Sequence, residues 1–208
     1  KSSQLRVPYC VPVDQLTPAR TIYKKMRQAK SFYKWSYPYI TKRLRSTLQA
    51  QTWMTPSHST SLFSNFKLLG SKFPSQIRYH QIAATFNALS FTHRIHHFTT
   101  VAKLTCPFCR GLDTEDRLIH IFTQCDRIHA IRSHIGRSEG ISDLIHPFQS
   151  SDYTLSVFLI RSMAQRSVRA ITLINFGIWK AREHILAKGD SQSAQRFITT
   201  FYKQHKSL

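Results

Sequence analysis

The chain has 208 residues, 41% of them apolar, and carries 30 Lys+Arg against 10 Asp+Glu for a net charge of +20. That apolar share supports a packed core of one or two domains and argues against a disordered chain. Only 6 glycines are present, which disfavours Gly-rich phosphate loops and turn-dense sandwiches or barrels, and no apolar run reaches the roughly 18 residues that a membrane span requires.

In chain order, residues 1–16 carry "RVPYCVPVD" and read as an extended arm. Thr17-Pro18 offers a capping hydroxyl followed by proline at a first helical position. Ile22, Met26 and Ala29 then form one apolar stripe, with Lys24, Lys25, Arg27 and Lys30 around it. "SFYKWSYPY" (31–39) packs aromatics around Lys34 before Pro38 breaks the helix. "ITKRLRSTLQ" (40–49) resumes it, presenting Lys42, Arg43 and Arg45. The Ser/Thr-rich stretch 51–65, punctuated by Pro56, is predicted to be a connection. Pro74 opens a further predicted helix, with Ile77, Ile82, Phe86 and Leu89 on one face, and "THRIHHF" (92–98) starts a short one.

Past Cys125, "DRIHAIRSHIG" predicts a helix with Ile128, Ile131 and Ile135 inward and Gly136 near its end. Residues 140–151 read as a loop and 152–188 as two helices. Val168, Ile171, Leu173, Ile174, Ile178 and Ile185 form the stripe of the second, and the tail from Ser193 adds one more. The period is helical nearly throughout. The predicted fold is mainly α: an irregular helical assembly with an extended basic N-terminal arm and a small CCHC zinc-binding module. Its expected segments are 1–50 (basic arm and helices), 51–105 (linker and helical segment), 106–135 (zinc module) and 136–208 (C-terminal helices).

The charge is unevenly spread. Between Gln15 and Leu112 there is no Asp or Glu, while that stretch holds 15 Lys and Arg. Such self-repulsion destabilises a compact state. A polyanion relieves it and releases condensed counterions as it binds. Nucleic acid is therefore the expected partner, ahead of a membrane surface. The predicted phosphate contacts are Lys24, Lys25, Arg27, Lys30, Lys34, Lys42, Arg43 and Arg45. The aromatics of 31–39 could stack unpaired bases or pack inside a helix pair. "THRIHHF" reads as a solvated basic cluster rather than a second metal site with Cys10 or His80.

"CPFCRGLDTEDRLIHIFTQC" (106–125) carries the distinctive chemistry. Cys106, Cys109, His120 and Cys125 stand at C-x2-C-x10-H-x4-C. Tetrahedral zinc takes four such thiolate and imidazole ligands, and C-x2-C bends the chain so that two sulfurs meet one ion. Pro107 lies inside that turn and Gly111 just beyond it. The return segment is expected to begin as a helix capped by Asp113 or Thr114, with Glu115 and Asp116 in its first turn, where the dipole favours acids. Leu118, Ile119 and Phe122 form its apolar side. His129, four residues past Cys125, is the alternative fourth ligand. A thioredoxin-like redox role would need a strand–helix setting that the pattern lacks. Four filled positions leave none for activated water, so the expected zinc is structural and no residue is assigned a catalytic role.

"CPFCRG…DRLIHIFTQCDRIHAIRSHI", with the lead-in from Gln76, resembles the zinc-binding segment that follows the polymerase domain of non-long-terminal-repeat retrotransposon reverse transcriptases. Cys106, Pro107, Cys109, His120 and Cys125 match that pattern, and the resemblance covers about residues 74–135. It implies a nucleic-acid-holding element. The polymerase's paired aspartates have no counterpart, because no Asp-Asp occurs in the chain.

The function expected from the sequence is thus a non-catalytic, zinc-stabilised RNA-binding component of a large ribonucleoprotein, with ribosomal RNA and neighbouring proteins as partners. A mitochondrial ribosome, and so the organellar matrix, is the specific expectation; a removed presequence would suit a chain opening on Lys1. RNA over DNA follows from that setting alone. The alternative is the C-terminal zinc portion of a reverse transcriptase, and a sequence-specific DNA-binding regulator is a third reading.

Overall fold

A computed structural model describes residues 56–70, 73–86, 89, 105–110, 116–188 and 193–207. Six α-helices are described: α1 (Pro56–Leu69), α2 (Ser75–Thr85), α3 (Asp126–Glu139), α4 (Ser151–Val157), α5 (Gln165–Lys188) and α6 (Ala194–His205). A π turn (His120–Gln124) precedes α3, and a 3-10 turn (Ser142–Leu144) follows it. The mainly α expectation holds, and no strand occurs among the described residues. None of these helices is long and apolar enough to cross a membrane.

The apolar stripes close into one cluster that runs from Leu62 on α1 to Tyr202 on α6. Helix α5 is its axis, packing against α6, α1 and α2. All six predicted stripe residues of α5 are buried. Ile77, Ile82, Phe86 and Leu89 are buried as well, as are Ile128, Ile131 and Ile135 on α3.

Two local readings are corrected. The stretch expected to be a connection is helical from Pro56 onward. Proline is suited to a helix's first position because its missing N–H has no intrahelical partner there. Leu62, Phe63, Phe66 and Leu69 then fall on one face and are buried. Helix α3 also runs past Gly136 to Glu139, and its left-handed cap is Gly140 (φ +64°). Gly136 serves packing instead. A Cβ there would stand 2.7 Å from Leu144 Cβ and 2.9 Å from Ile145 Cγ1, so the 3-10 turn can lie directly on α3.

A buried polar layer orders the helices around the turn that ends α4. Leu159 adopts φ +59° there, and the carbonyls of Val157, Phe158, Leu159 and Arg161 accept side-chain hydrogen bonds. Asn65 of α1 donates to Leu159 O (2.8 Å) and Arg161 O (2.6 Å), and Thr85 of α2 donates to Phe158 O (3.1 Å). Asn175 of α5 donates to Val157 O (2.9 Å) and to Gln81 Oε1 (2.7 Å), and accepts from Arg132 Nη2 (2.5 Å). Buried carbonyls without partners are costly. This layer satisfies a non-helical turn inside the core and fixes α1, α2 and α5 in register with it.

Candidate metal centre

The first half of the site is a tight turn. Arg110 N donates to Cys106 O (2.9 Å), and Arg110 itself takes the left-handed conformation (φ 53°). Pro107 and Phe108 are buried under the turn, and Arg127 Nη1 of α3 donates to Phe108 O (3.2 Å). The knuckle is thus clamped to the core on one side and to α3 on the other.

The second half comes from the π turn. In an α-helix a residue five places on lies about 140° round the axis, away from the first. A π turn closes with i→i+5 hydrogen bonds and returns to nearly the same side. His120 opens that turn and Cys125 follows it, so both face the knuckle. Thr123 Oγ1 donating back to Ile119 O (2.8 Å) supports the wider turn. Leu118, Ile121 and Phe122 are buried and Ile119 packs against the core, which adds Ile121 to the predicted apolar side. Cys125 has extended backbone and forms the N-cap of α3, at the positive end of the helix dipole.

The four donor atoms of Cys106, Cys109, His120 and Cys125 all lie within 4.8 Å of one another. Cys106 Sγ stands 4.0 Å from Cys125 Sγ, and Cys109 Sγ 3.4 Å from His120 Nε2. Sulfurs at tetrahedral corners about 2.3 Å from one ion would be about 3.8 Å apart. A disulfide would need about 2.05 Å, and the three cysteines here are free thiols. The group is therefore shaped to hold a metal ion. Hydrogen bonding with Cys125 and burial together push the Cys106 thiol up to about 12, against the pull of His120. Burial disfavours the charged imidazole of His120, but the sulfurs of Cys106 and Cys109 outweigh it and raise its pKa. A thiolate at Cys106 needs a cation beside it.

His129 is not a ligand. It faces the other side of α3, with Nε2 3.1 Å from His146 O and its ring 5.0 Å from those of Phe148 and Tyr153. Asp116 also departs from its expected role. It lies in a bend outside any helical first turn, with no exposed surface, and its carboxylate takes a two-pronged contact from Arg182 of α5. Arg182 in turn lies 4.9 Å over the Trp179 ring. Sequence reasoning missed this anchor. An acid at position 116 reads equally well as a dipole partner, and its true partner is 66 residues away.

His80 of α2 stands behind the site as an aromatic wall. Its ring centroid is 5.2 Å from Phe176, 5.7 Å from Trp179 and 6.4 Å from Phe122. Burial, with the charge of Lys180 adding to it, lowers its pKa to about 3, so it is a neutral core residue. The predicted phosphate contacts Lys24, Lys25, Arg27, Lys30, Lys34, Lys42, Arg43 and Arg45 lie outside the described residues, as do Cys10, the 31–39 aromatics and "THRIHHF". No protein-family model, curated protein or solved structure matches this chain.

Proposed function

We propose that the chain is a non-catalytic RNA-binding module braced by a structural zinc ion. One observation carries the reading: a complete Cys3His donor set sits in a chain of net charge +20. Zinc is the ion best suited to three thiolates and one imidazole at these separations. Four protein ligands leave no position for activated water, so the ion would fix structure rather than act on a substrate. It would tie the knuckle to the head of α3 and leave the acid-free half of the chain to meet phosphates. The setting proposed is a large ribonucleoprotein, with a mitochondrial ribosome as the particular candidate.

The test has two parts. Metal analysis of purified protein should give one zinc per chain, lost in Cys106→Ser and Cys125→Ser. Anisotropy with single-stranded and structured RNA should show binding that weakens steeply as salt rises. A metal-free protein, or one that ignores RNA in dilute buffer, would defeat the proposal.

A second reading has a specific observation in its favour. Cys106, Cys109, His120 and Cys125, the metal-ligand positions of the reverse-transcriptase resemblance, converge, with Pro107 inside the knuckle turn and α2 supplying its helical lead-in. The chain would then be the nucleic-acid-holding zinc portion of such an enzyme. Reading the gene upstream of Lys1 separates the two. An aromatic-x-Asp-Asp polymerase motif selects the second reading, and a short presequence selects the first.

A further inference from the structure

Away from the metal centre, a cleft of about 490 Å³ opens between the end of α3, the start of α5 and the end of α6. Its charged lining among the described residues is Glu139, Arg166, Arg169 and Lys206, with Tyr202 and Ser207 beside them. The single carboxylate is already shared. Lys206 Nζ lies 2.9 Å from Glu139 Oε1 and Arg166 Nη2 3.7 Å from Oε2, while the same Nη2 donates to the Glu139 carbonyl at 2.7 Å. Three cations against one acid leave a surplus of two positive charges. Arg166 and Lys206 still keep 68% and 48% of their side chains exposed. Arg169, one turn past Arg166 on the same helix face, has its Nε buried without a hydrogen-bond partner.

We infer that this cleft is a binding site for a phosphate ester. The surplus charge matches one phosphate monoester or two successive phosphodiesters. Guanidinium groups recognise phosphate oxygens in pairs. The positive end of α5 faces the negative ends of α3 and α6 across the cleft, so the helix dipoles largely offset and the side chains set its charge. Its volume is in the range of ligand sites and exceeds what a bare anion needs. Tyr202, the one aromatic ring in the lining, is buried in the wall, so recognition falls on the phosphate and not on a base. Such a group can come from an RNA backbone or from a free nucleotide. The first source deepens the proposed function; the second does not depend on it.

The experiment uses the full zinc-loaded chain with two probes, a fluorescein-labelled 12-nucleotide single-stranded RNA and adenosine 5′-monophosphate. Arg166→Gln/Arg169→Gln should weaken RNA binding at least tenfold and flatten the log K against log[salt] slope by roughly 1.4. Arg166→Lys/Arg169→Lys should keep most of that slope. Lys180→Gln, a neutralisation elsewhere on α5, should change the slope by no more than roughly one. Ser207→Glu, on the exposed rim, adds a repelling charge without disturbing the core and should cost at least threefold. Those results assign the site to RNA. Adenosine monophosphate binding to wild type but not to the double glutamine variant assigns it to a free nucleotide, even if RNA is ignored. RNA binding that is identical in affinity and slope across wild type, the double glutamine variant and Ser207→Glu, with no response to the nucleotide, overturns the site but spares the proposed function. No binding of either probe removes both.

Discussion

Removing Asp116 breaks a buried contact between the segment that carries His120 and Cys125 and helix α5. Its carboxylate has no exposed surface, and the Arg182 guanidinium is buried against it with two parallel contacts. Breaking a buried pair from one side strands the other charge, at about 3–5 kcal/mol. Asp116→Ala leaves Arg182 over the Trp179 ring at 4.9 Å, a residual attraction of about 1 kcal/mol. The expected loss is therefore about 3 kcal/mol, or roughly 6–12 °C in Tm for a chain of this size. Arg182→Met takes the guanidinium away from the buried Asp116 carboxylate and should cost about 4 kcal/mol. Asp116→Leu/Arg182→Met removes both buried charges together and should be less destabilised than either single variant. The assay is urea unfolding followed by circular dichroism at pH 7 with saturating zinc. Because Asp116 precedes His120 by one turn of chain, Asp116→Ala should also speed zinc loss to a chelator. An Asp116→Ala protein within about 0.5 kcal/mol of wild type, where ordinary surface changes fall, would refute the reasoning.

Four further outcomes are expected. Gly136→Ala should destabilise: contact with Leu144 at 2.7 Å costs about 1–3 kcal/mol, more than the roughly 1 kcal/mol of added helix propensity. Gly177→Ala, whose nearest neighbour is the Phe201 ring at 3.3 Å, should stay within about 1 kcal/mol of wild type in the same denaturation series. His80 has a folded pKa of about 3 against 6.5 unfolded, so below pH 6.5 the unfolded chain takes up a proton that the folded chain refuses. Its contribution is full above pH 6.5 and falls by roughly 1.4 kcal/mol per unit between pH 6.5 and 3. His80→Phe should narrow the stability difference between pH 7 and pH 5 by about 2 kcal/mol, read against wild type in matched buffers. Chelator should lower the wild-type Tm and leave Cys106→Ser and Cys125→Ser unmoved, as scanning calorimetry would show.

What the sequence made legible was whatever depends on near neighbours. The stripes of α2, α3 and α5 follow a 3.6-residue period, and each residue predicted inward is buried. The ligand spacing was legible because a knuckle and its return segment are local. The proline at position 56 misled because the same residue that breaks a helix also opens one, and only the burial of Leu62, Phe66 and Leu69 decides which. The glycine at position 136 misled because its reason lies in another element: it is small so that Leu144 can approach. The π turn was hidden too. Nothing in "HIFTQ" distinguishes it from an α turn, yet an α turn would carry Cys125 away from His120. The ligand pair at i and i+5 is compatible with one ion only if the helix is widened there; Thr123 bonds back across the widened turn, and Asp116 is anchored to Arg182 just upstream. The metal centre is therefore not a clip added to a finished helix. Its second half follows closely on a buried ion pair that joins Asp116 to Arg182, 66 residues on in the sequence. Weakening Asp116 should then reach the donors through the backbone, with all four ligands still in place.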